Sequence, residues 1–410
     1  MKRVTMLVTL LLGAGGPAEG QPAPRRVILF IGDGVGTAYW SAARLATDSL
    51  AVERLRIMGL VDNRSSDNLV TDSGAGATVY ATGIRTFNGA IGVGPDSMPL
   101  RTVLEAARDR GWATGLVATS TLTHATPASF AAHVPSRASE FEIARQMVDA
   151  RVDVMLGGGR RYFDGRTRPD SVDLLATLRR QYTVVETAEA FRALDLRRTR
   201  RLVGLFAPSQ MPAAATRVPS LPDMTRAALA VLGQDPDGFF LMVEGSQPDW
   251  RGHANQPLDQ VTAEMLDFDG AIRVAVEHQR GHPETLIVVV ADHETGGLSL
   301  ELTRDSLAFE AAAQNLVSGM EPLAAVRALL SSEQQDEIAR LSRELGATAS
   351  RMRIEASRRG ASSSLVARYT SPNHTAEMTP LFASGPGAER FGGIIDNWRV
   401  GRLLLEIVER

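Results

Sequence analysis

Ser73 is the residue of this sequence best placed to act as a nucleophile. It lies in Leu69-Val70-Thr71-Asp72-Ser73-Gly74-Ala75-Gly76-Ala77-Thr78, where an apolar run turns into a helix and a hydroxyl stands beside a carboxylate. The small residues at 74 to 77 let the backbone bend tightly and let an anion approach the first helical N–H groups, where the helix dipole favours negative charge. Such a helix start is a seat for phosphate. A serine at its ordinary pKa attacks poorly, so deprotonating it requires a neighbouring base or a metal ion. Taken alone, the segment also fits a plain serine in a Gly/Ala-rich helix start.

Metal ligands are supplied elsewhere in the chain. Asp33 stands between Gly32 and Gly34 at the end of an apolar run, and Glu244, Asp249, Trp250 and His253 follow a second such run. Asp292-His293 ends a third, while His374 lies in Tyr369-Thr370-Ser371-Pro372-Asn373-His374-Thr375. Asp33, Asp249, His253, Asp292, His293 and His374 together make three carboxylates and three imidazoles, a nitrogen and oxygen mixture that suits zinc and suffices for two sites. Two metals about 3.5–4 Å apart stabilise both the attacking and the departing oxygen of an in-line phosphoryl displacement. The polar stretch Thr119–Ala128, with His124 and Thr126, also follows a strand end, and Arg137 just downstream offers a two-pronged grip on phosphate oxygens. Each residue has an ordinary alternative when taken singly: a surface carboxylate, a core histidine, a solvated arginine. Jointly those alternatives lose force.

The elements that must position these groups read as strand–helix alternation, which implies an α/β fold with a large, mostly parallel central sheet flanked by helices. Arg26–Ile31, Phe239–Val243 and Leu286–Ala291 are short, continuous apolar runs of the kind found in buried parallel strands. Ligands bind at the carboxyl ends of such strands. Helical patterns are expected over Leu100–Arg110, Ser139–Ala150, from Leu258 to about Arg280, and around Asn397–Val408. Further strands are expected at Ala113–Ala118, Val152–Leu156 and, last, near Thr379–Ala383. Residues 160–235 read as peripheral α/β structure. From 301 to 367 the sequence turns Arg/Glu-rich without strand-like runs, which predicts an inserted helical cap in a catalytic domain spanning 24–410. Thr37 occupies the last glycine position of a dinucleotide fingerprint, so G-x-G-x-x-G fails at residue 32.

Composition narrows the function classes. With 44% hydrophobic residues in 410, the chain can bury a large core. A net charge of −3 and no basic run interleaved with aromatics argue against nucleic-acid binding. There is no cysteine, hence neither disulfide nor thiolate site. The single lysine, Lys2, falls in an N-terminal segment, 1–20, that reads as a secretory signal peptide, so P-loop, kinase and Schiff-base chemistry are excluded from the rest. Its apolar run is too short to span a bilayer, and no later stretch approaches about 20 uncharged apolar residues. A periplasmic or secreted location follows as an expectation.

In order and spacing, Gly32-Asp33-Gly34, Thr71-Asp72-Ser73-Gly74-Ala75, His124-Ala125-Thr126-Pro127-Ala128 with Arg137, Glu244-Gly245-Ser246 through Asp249 to His253, Ala291-Asp292-His293 and His374-Thr375 together resemble the alkaline phosphatase family. The resemblance implies a metal-dependent phosphate monoester hydrolase with a phosphoserine intermediate at Ser73 and an alkaline optimum. It implies one Zn²⁺ on Asp249, His253 and His374, and a second on Asp33, Asp292 and His293. It further implies Arg137 as phosphate clamp, Asp72 as the residue orienting it, and a third, Mg²⁺-type site on Asp33, Thr126 and Glu244. His124 and Trp250 stand where some bacterial members have an acid and a lysine. A histidine there softens the third ligand set and admits Zn²⁺ or Co²⁺, and Trp250 removes one water-mediated contact to substrate phosphate. Relatives are commonly homodimers. A phosphodiesterase of the same superfamily and a non-catalytic phosphate- or metal-binding protein are the alternatives; sulfatase chemistry lacks its cysteine and the segment around it.

Overall fold

The computed structural model describes residues 24–302 and 365–410. The signal segment expected at 1–20 lies outside the described residues, as does the cap expected at 301–367 apart from its two ends. In chain order the first elements are β1 (Arg26–Gly32), α1 (Thr37–Ala46), β2 (Ile57–Asp62), α2 (Ser73–Thr82), α3 (Val103–Asp109), β3 (Ala113–Thr121), α4 (Ala125–Ala131), α5 (Glu140–Asp149) and β4 (Val154–Gly158). Then come α6 (Leu174–Arg179), β5 (Thr183–Val185), α7 (Ala188–Arg192), β6 (Leu202–Leu205), α8 (Leu221–Leu232), β7 (Phe239–Gly245), α9 (Gln247–His253), α10 (Leu258–Gly281) and β8 (Thr285–Val290). The last are β9 (Glu294–Thr295), β10 (Ser299–Leu302), β11 (Leu365–Arg368), β12 (His374–Thr375), β13 (Thr379–Ser384), β14 (Gly393–Asp396) and α11 (Asn397–Glu409).

Ten strands form one sheet in the order β14-β2-β13-β8-β1-β7-β3-β4-β6-β5. Only β13 runs against its neighbours, β2 and β8; the other pairs are parallel. The three apolar runs picked out above are β7, β1 and β8, adjacent at the sheet's middle and buried on both faces, which is why they lack alternation. One core lies between the sheet and α2, α3, α4, α5 and α11; another lies on the opposite face beneath α1, α8 and α10. Among the described residues no helix is long and apolar enough to cross a membrane.

Three expectations need correction. The apolar run expected to lead into the Ser73 helix is not a buried one: Ser73 follows a loop whose Leu69 is 70% exposed, and the nearest preceding strand is β2. The strand at Thr379–Ala383 is not the last, because β14 adds an edge beyond β2. The 301–367 segment is not helical at its ends: Ser299–Leu302 and Leu365–Arg368 pair as an antiparallel ribbon. Residues 160–235 do form peripheral α/β structure, with β5 and β6 at the opposite edge.

One ion pair outside the site makes stability depend on pH. Glu105 closes the capping box of α3 with Thr102 and lies 3.2 Å from His133 Nε2, whose Nδ1 is 2.7 Å from the Gly92 carbonyl. Burial alone would lower the His133 pKa, but Glu105 and the carbonyl outweigh it and hold His133 above its ordinary 6.5. Glu105, also penalised by burial, is held below 4.5 chiefly by His133. A raised histidine contributes stability fully below 6.5 and loses it as pH rises through the raised value; the lowered carboxylate loses its share on acidification below 4.5. His133→Gln is therefore expected to lower the Tm most near pH 6 and least near pH 9, a trend that melting curves across that range would check.

Candidate active site

The residues singled out from the sequence as metal ligands gather at the carboxyl edge of the sheet, on or just beyond its strands. Asp33 follows β1, Glu244 lies within β7, Asp292 and His293 follow β8, and Asp249 and His253 are carried by α9 immediately beyond β7. His374 comes before a strand rather than after one. Because β13 is reversed, the segment entering it reaches the same edge that the others reach on leaving, and β12 pairs His374 with Thr295.

Ser73 is the first residue of α2, and Asp72 is its N-cap, accepting from Ala75 N at 2.9 Å. The same Asp72 oxygen accepts from Gly89 N at 2.9 Å, while the other oxygen takes Arg137 Nη1 at 2.7 Å. Burial works to raise the Asp72 pKa, but the Arg137 charge and these bonds hold it below its ordinary value, so the pair stays ionised. One carboxylate thus both starts the nucleophile's helix and aims the arginine. The small residues after Ser73 serve helix packing as much as anion access. A Cβ at Gly76 would lie 3.0 Å from Asp292 Cβ, so glycine lets α2 press against the end of β8.

Ser73 Oγ is 2% exposed by residue and lies 3.5 Å from Asp33 Oδ1 and 3.2 Å from His293 Nε2. Around it the donors gather at coordination spacing. His253 Nε2 is 3.3 Å from Asp249 Oδ1 and 3.1 Å from His374 Nε2, which is 3.6 Å from Asp249 Oδ1. His293 Nε2 is 3.5 Å from Asp33 Oδ1 and 3.4 Å from Asp292 Oδ2. Ligands about 2.0–2.1 Å from a tetrahedral zinc stand about 3.3–3.4 Å apart, the separation found here. Asp249 and His293 also group with His374, so the two triads abut, and Asp33, His124 and Glu244 form a third cluster. Asp33 Oδ2, Asp292 Oδ2, Glu244 Oε1, Thr126 Oγ1 and His124 Nδ1 are all buried without a hydrogen-bond partner. Buried polar atoms are rarely left so, and cations would satisfy them all.

The electrostatics agree. Burial, then the Asp292 and Asp249 charges, pushes Asp33 well above its ordinary value. Burial lifts Asp292 to about 6 and Glu244 to about 7. Burial lowers His293 and His124 to about 3, so both rings are neutral and free to donate lone pairs. His253 differs from the rest in being partly open to solvent, with its side chain 39% exposed. Trp250 meets His124 edge to face at 6.0 Å between ring centres and contributes no cation. If its indole stands in for a lysine, Trp250→Lys should tighten competitive inhibition by inorganic phosphate roughly tenfold, as expected for a charge-assisted hydrogen bond. Tightening in Trp250→Ala but not in Trp250→Lys would sink that idea.

Sequence reading missed the residues that brace these ligands. Thr295 Oγ1 donates to Asp249 Oδ1 at 2.5 Å and lies 3.2 Å from His293 Nδ1, so one hydroxyl ties the two triads together. Ser120 Oγ donates to Glu244 Oε2 at 3.1 Å, and Ser246 Oγ accepts from Ser120 N. Thr295 lies two residues past His293 in the motif-bearing segment, the one signal that could have flagged it.

An alkaline phosphatase family model matches residues 24–409. Alkaline phosphatase 4 of Bacillus subtilis is 33% identical over 94% of this chain and 89% of its own length. Streptomycin-6-phosphate phosphatase of Streptomyces griseus is 38% identical over 70% of this chain and 78% of its own. Among solved structures, the alkaline phosphatase of the Antarctic bacterium TAB5 superposes with a TM-score of 0.76 at 32% identity, over 94% of this chain and 99% of that one. That of Thermus thermophilus gives 0.73 at 29%, over 97% and 95%. A histidine-to-aspartate variant of the TAB5 enzyme holds Mg in a site called M3. With the donor triads, the serine at its helix start and matches of this extent, the chain belongs to the alkaline phosphatase family.

Proposed function

We propose that this phosphate monoester hydrolase works through a phosphoserine at Ser73, with two zinc ions and a third divalent cation, on substrates met outside the cytoplasm. Asp249, His253 and His374 would hold one zinc, and Asp33, Asp292 and His293 the other. Asp33, Thr126 and Glu244 would hold magnesium, or zinc or cobalt where the His124 nitrogen joins them. When bound, these cations supply positive charge beside the attacking and departing oxygens. Ser73 Oγ forms a bond to phosphorus as the ester P–O bond breaks and the alcohol departs. Arg137, held by Asp72, orients two non-bridging oxygens throughout. Water then attacks phosphorus from the side the alcohol left, freeing inorganic phosphate and restoring Ser73, so two in-line steps give net retention.

The observation that carries this reading is the placing of Ser73 Oγ beside Asp33 and His293 at a helix start whose cap aims Arg137. Arg137 and the third cluster favour a monoester, whose additional negative oxygen needs them. The test is acid-quenched turnover of a nitrophenyl phosphate monoester and its diester, followed by peptide mass spectrometry. Phosphate on the Ser73 peptide, with the monoester much the faster, is expected. Faster cleavage of the diester, or no labelled serine under turnover, would refute it.

A further inference from the structure

Helix α9 carries Asp249, Trp250 and His253 within seven residues. Isolated helices shorter than about 12 residues are marginal in water, so its orientation is set from outside. Asp249 and His253 are four residues apart and share the face turned toward His374 and Thr295. Gln247 and Arg251, also four apart, occupy the opposite face. There Arg251 Nη2 donates to Glu264 Oε1 at 3.0 Å and to Gln247 Oε1 at 3.1 Å, while Gln247 Nε2 donates to the carbonyls of Met211 at 2.8 Å and Thr119 at 3.1 Å.

Glu264 belongs to α10 and is 3% exposed. Its Oε2 accepts from Arg217 Nη2 at 2.7 Å and its Oε1 also accepts from Ala214 N at 3.0 Å. Arg217, equally buried, pairs with Asp267 and donates Nε to the Pro212 carbonyl. Two guanidinium groups and two carboxylates therefore balance in charge behind the ligand helix. On its other flank α9 has no slack, since a Cβ at Gly252 would lie 2.3 Å from the Tyr39 hydroxyl and 2.8 Å from the Thr295 carbonyl. None of Arg217, Glu264, Asp267 or Arg251 takes part in the chemistry above.

We propose that Glu264 is a positioning residue: braced by Arg217 and bonded to Arg251, it fixes the roll of α9 and so how tightly Asp249 and His253 hold their zinc. The inference rests on the zinc assignment of the preceding section. Ligand distances must fall within about 0.2 Å of ideal for a metal site to hold, so even a small roll of a seven-residue helix would loosen its grip. The second zinc, whose ligands follow β1 and β8 and are tied to α9 only through Thr295, would feel it less. Partners that orient ligands typically alter metal affinity by about 10–100-fold.

The experiment follows zinc release from the loaded protein into an excess of a colorimetric chelator, for the wild type, Glu264→Gln, Arg251→Met and Asp269→Asn. Arg251→Met leaves the Arg217–Glu264 pair intact and covers the chance that Glu264→Gln folds poorly. Asp269→Asn is the control for general weakening of α10: Asp269 is buried on the same helix but accepts from Ala51 N and Val52 N at 2.8 and 3.1 Å, away from α9. One zinc is expected to leave about tenfold faster in Glu264→Gln and Arg251→Met, with the other accelerated several-fold less and turnover restored by added zinc. Asp269→Asn should melt earlier yet release both ions at wild-type rates. Wild-type release in both test variants, or equal acceleration in Asp269→Asn, would overturn the positioning role alone. A wild-type protein that binds no zinc would overturn the metal assignment along with it.

Discussion

Ser73→Ala is expected to lower turnover of a nitrophenyl phosphate monoester by about 10³-fold or more, because removing a covalent nucleophile leaves only the binding and electrostatic contributions of the site. The fold should survive. Ser73 is at the first position of α2, where alanine is a good helix former, and the cap is made by Asp72 and not by Ser73 itself. Arg137 keeps its partner, and Asp33 and His293 lose only a neighbour at 3.5 and 3.2 Å. Substrate affinity should therefore change far less than turnover. Steady-state kinetics with melting curves would check it: near-wild-type turnover in a well-folded Ser73→Ala protein rules out the covalent route.

Stripping the protein with a chelator should abolish turnover and lower its Tm by roughly 8 °C or more, with zinc restoring both; a single ion at about 1,000 times its Kd contributes about 4 kcal/mol, at about 2 °C per kcal/mol for a chain of this size. The physical cause is four carboxylates, Asp33, Glu244, Asp249 and Asp292, each at most 4% exposed and gathered around one serine. Arg137 alone cannot balance them, and its charge is already engaged by Asp72. A carboxylate with a raised folded pKa stabilises the protein while protonated and stops doing so as pH rises through the raised value, about 6 for Asp292 and about 7 for Glu244. His124 and His293, lowered to about 3, act oppositely, but only below their ordinary 6.5. Above pH 6.5 the carboxylates are the shifted groups of the site that still act, and His133, away from the site, affects loaded and stripped protein alike. The gap in Tm between loaded and stripped protein should thus widen from pH 6.5 to pH 8, and equal melting temperatures in that range would contradict it.

The middle of the molecule was legible because burial on both faces leaves a plain sequence mark. Val27–Ile31, Phe239–Val243 and Leu286–Val290 are uninterrupted apolar runs, and they are the three central neighbours that present Asp33, Glu244 and Asp292. The edge was not. In β2 the residues Met58 and Leu60 face solvent to differing degrees and Gly59 interrupts the run, while β14 is four residues long with Ile394 73% exposed. Neither carries a two-residue alternation strong enough to declare itself. The ligand residues could be gathered by type and by their place after strands, yet their pairing across long stretches of chain could not. His374 reaches Asp249 only because β13 runs backwards, and strand direction leaves no trace in the sequence of Thr379–Ser384. Thr295 and Glu264 went unnoticed because a hydroxyl or carboxylate that acts by touching another ligand or helix resembles any other polar residue until it is seen in place.

The ribbon of β10 and β11 ends with Leu302 opposite Leu365. The two strands close on each other and not on the ten-stranded sheet, so chain leaving at Leu302 re-enters at Leu365 without a break in that sheet's register. Lengthening such an excursion is cheap, since each doubling adds only about 0.6 kcal/mol of closure entropy. A change in the length of chain between Leu302 and Leu365 is therefore expected to leave in register the strands that present Asp33, Glu244 and Asp292.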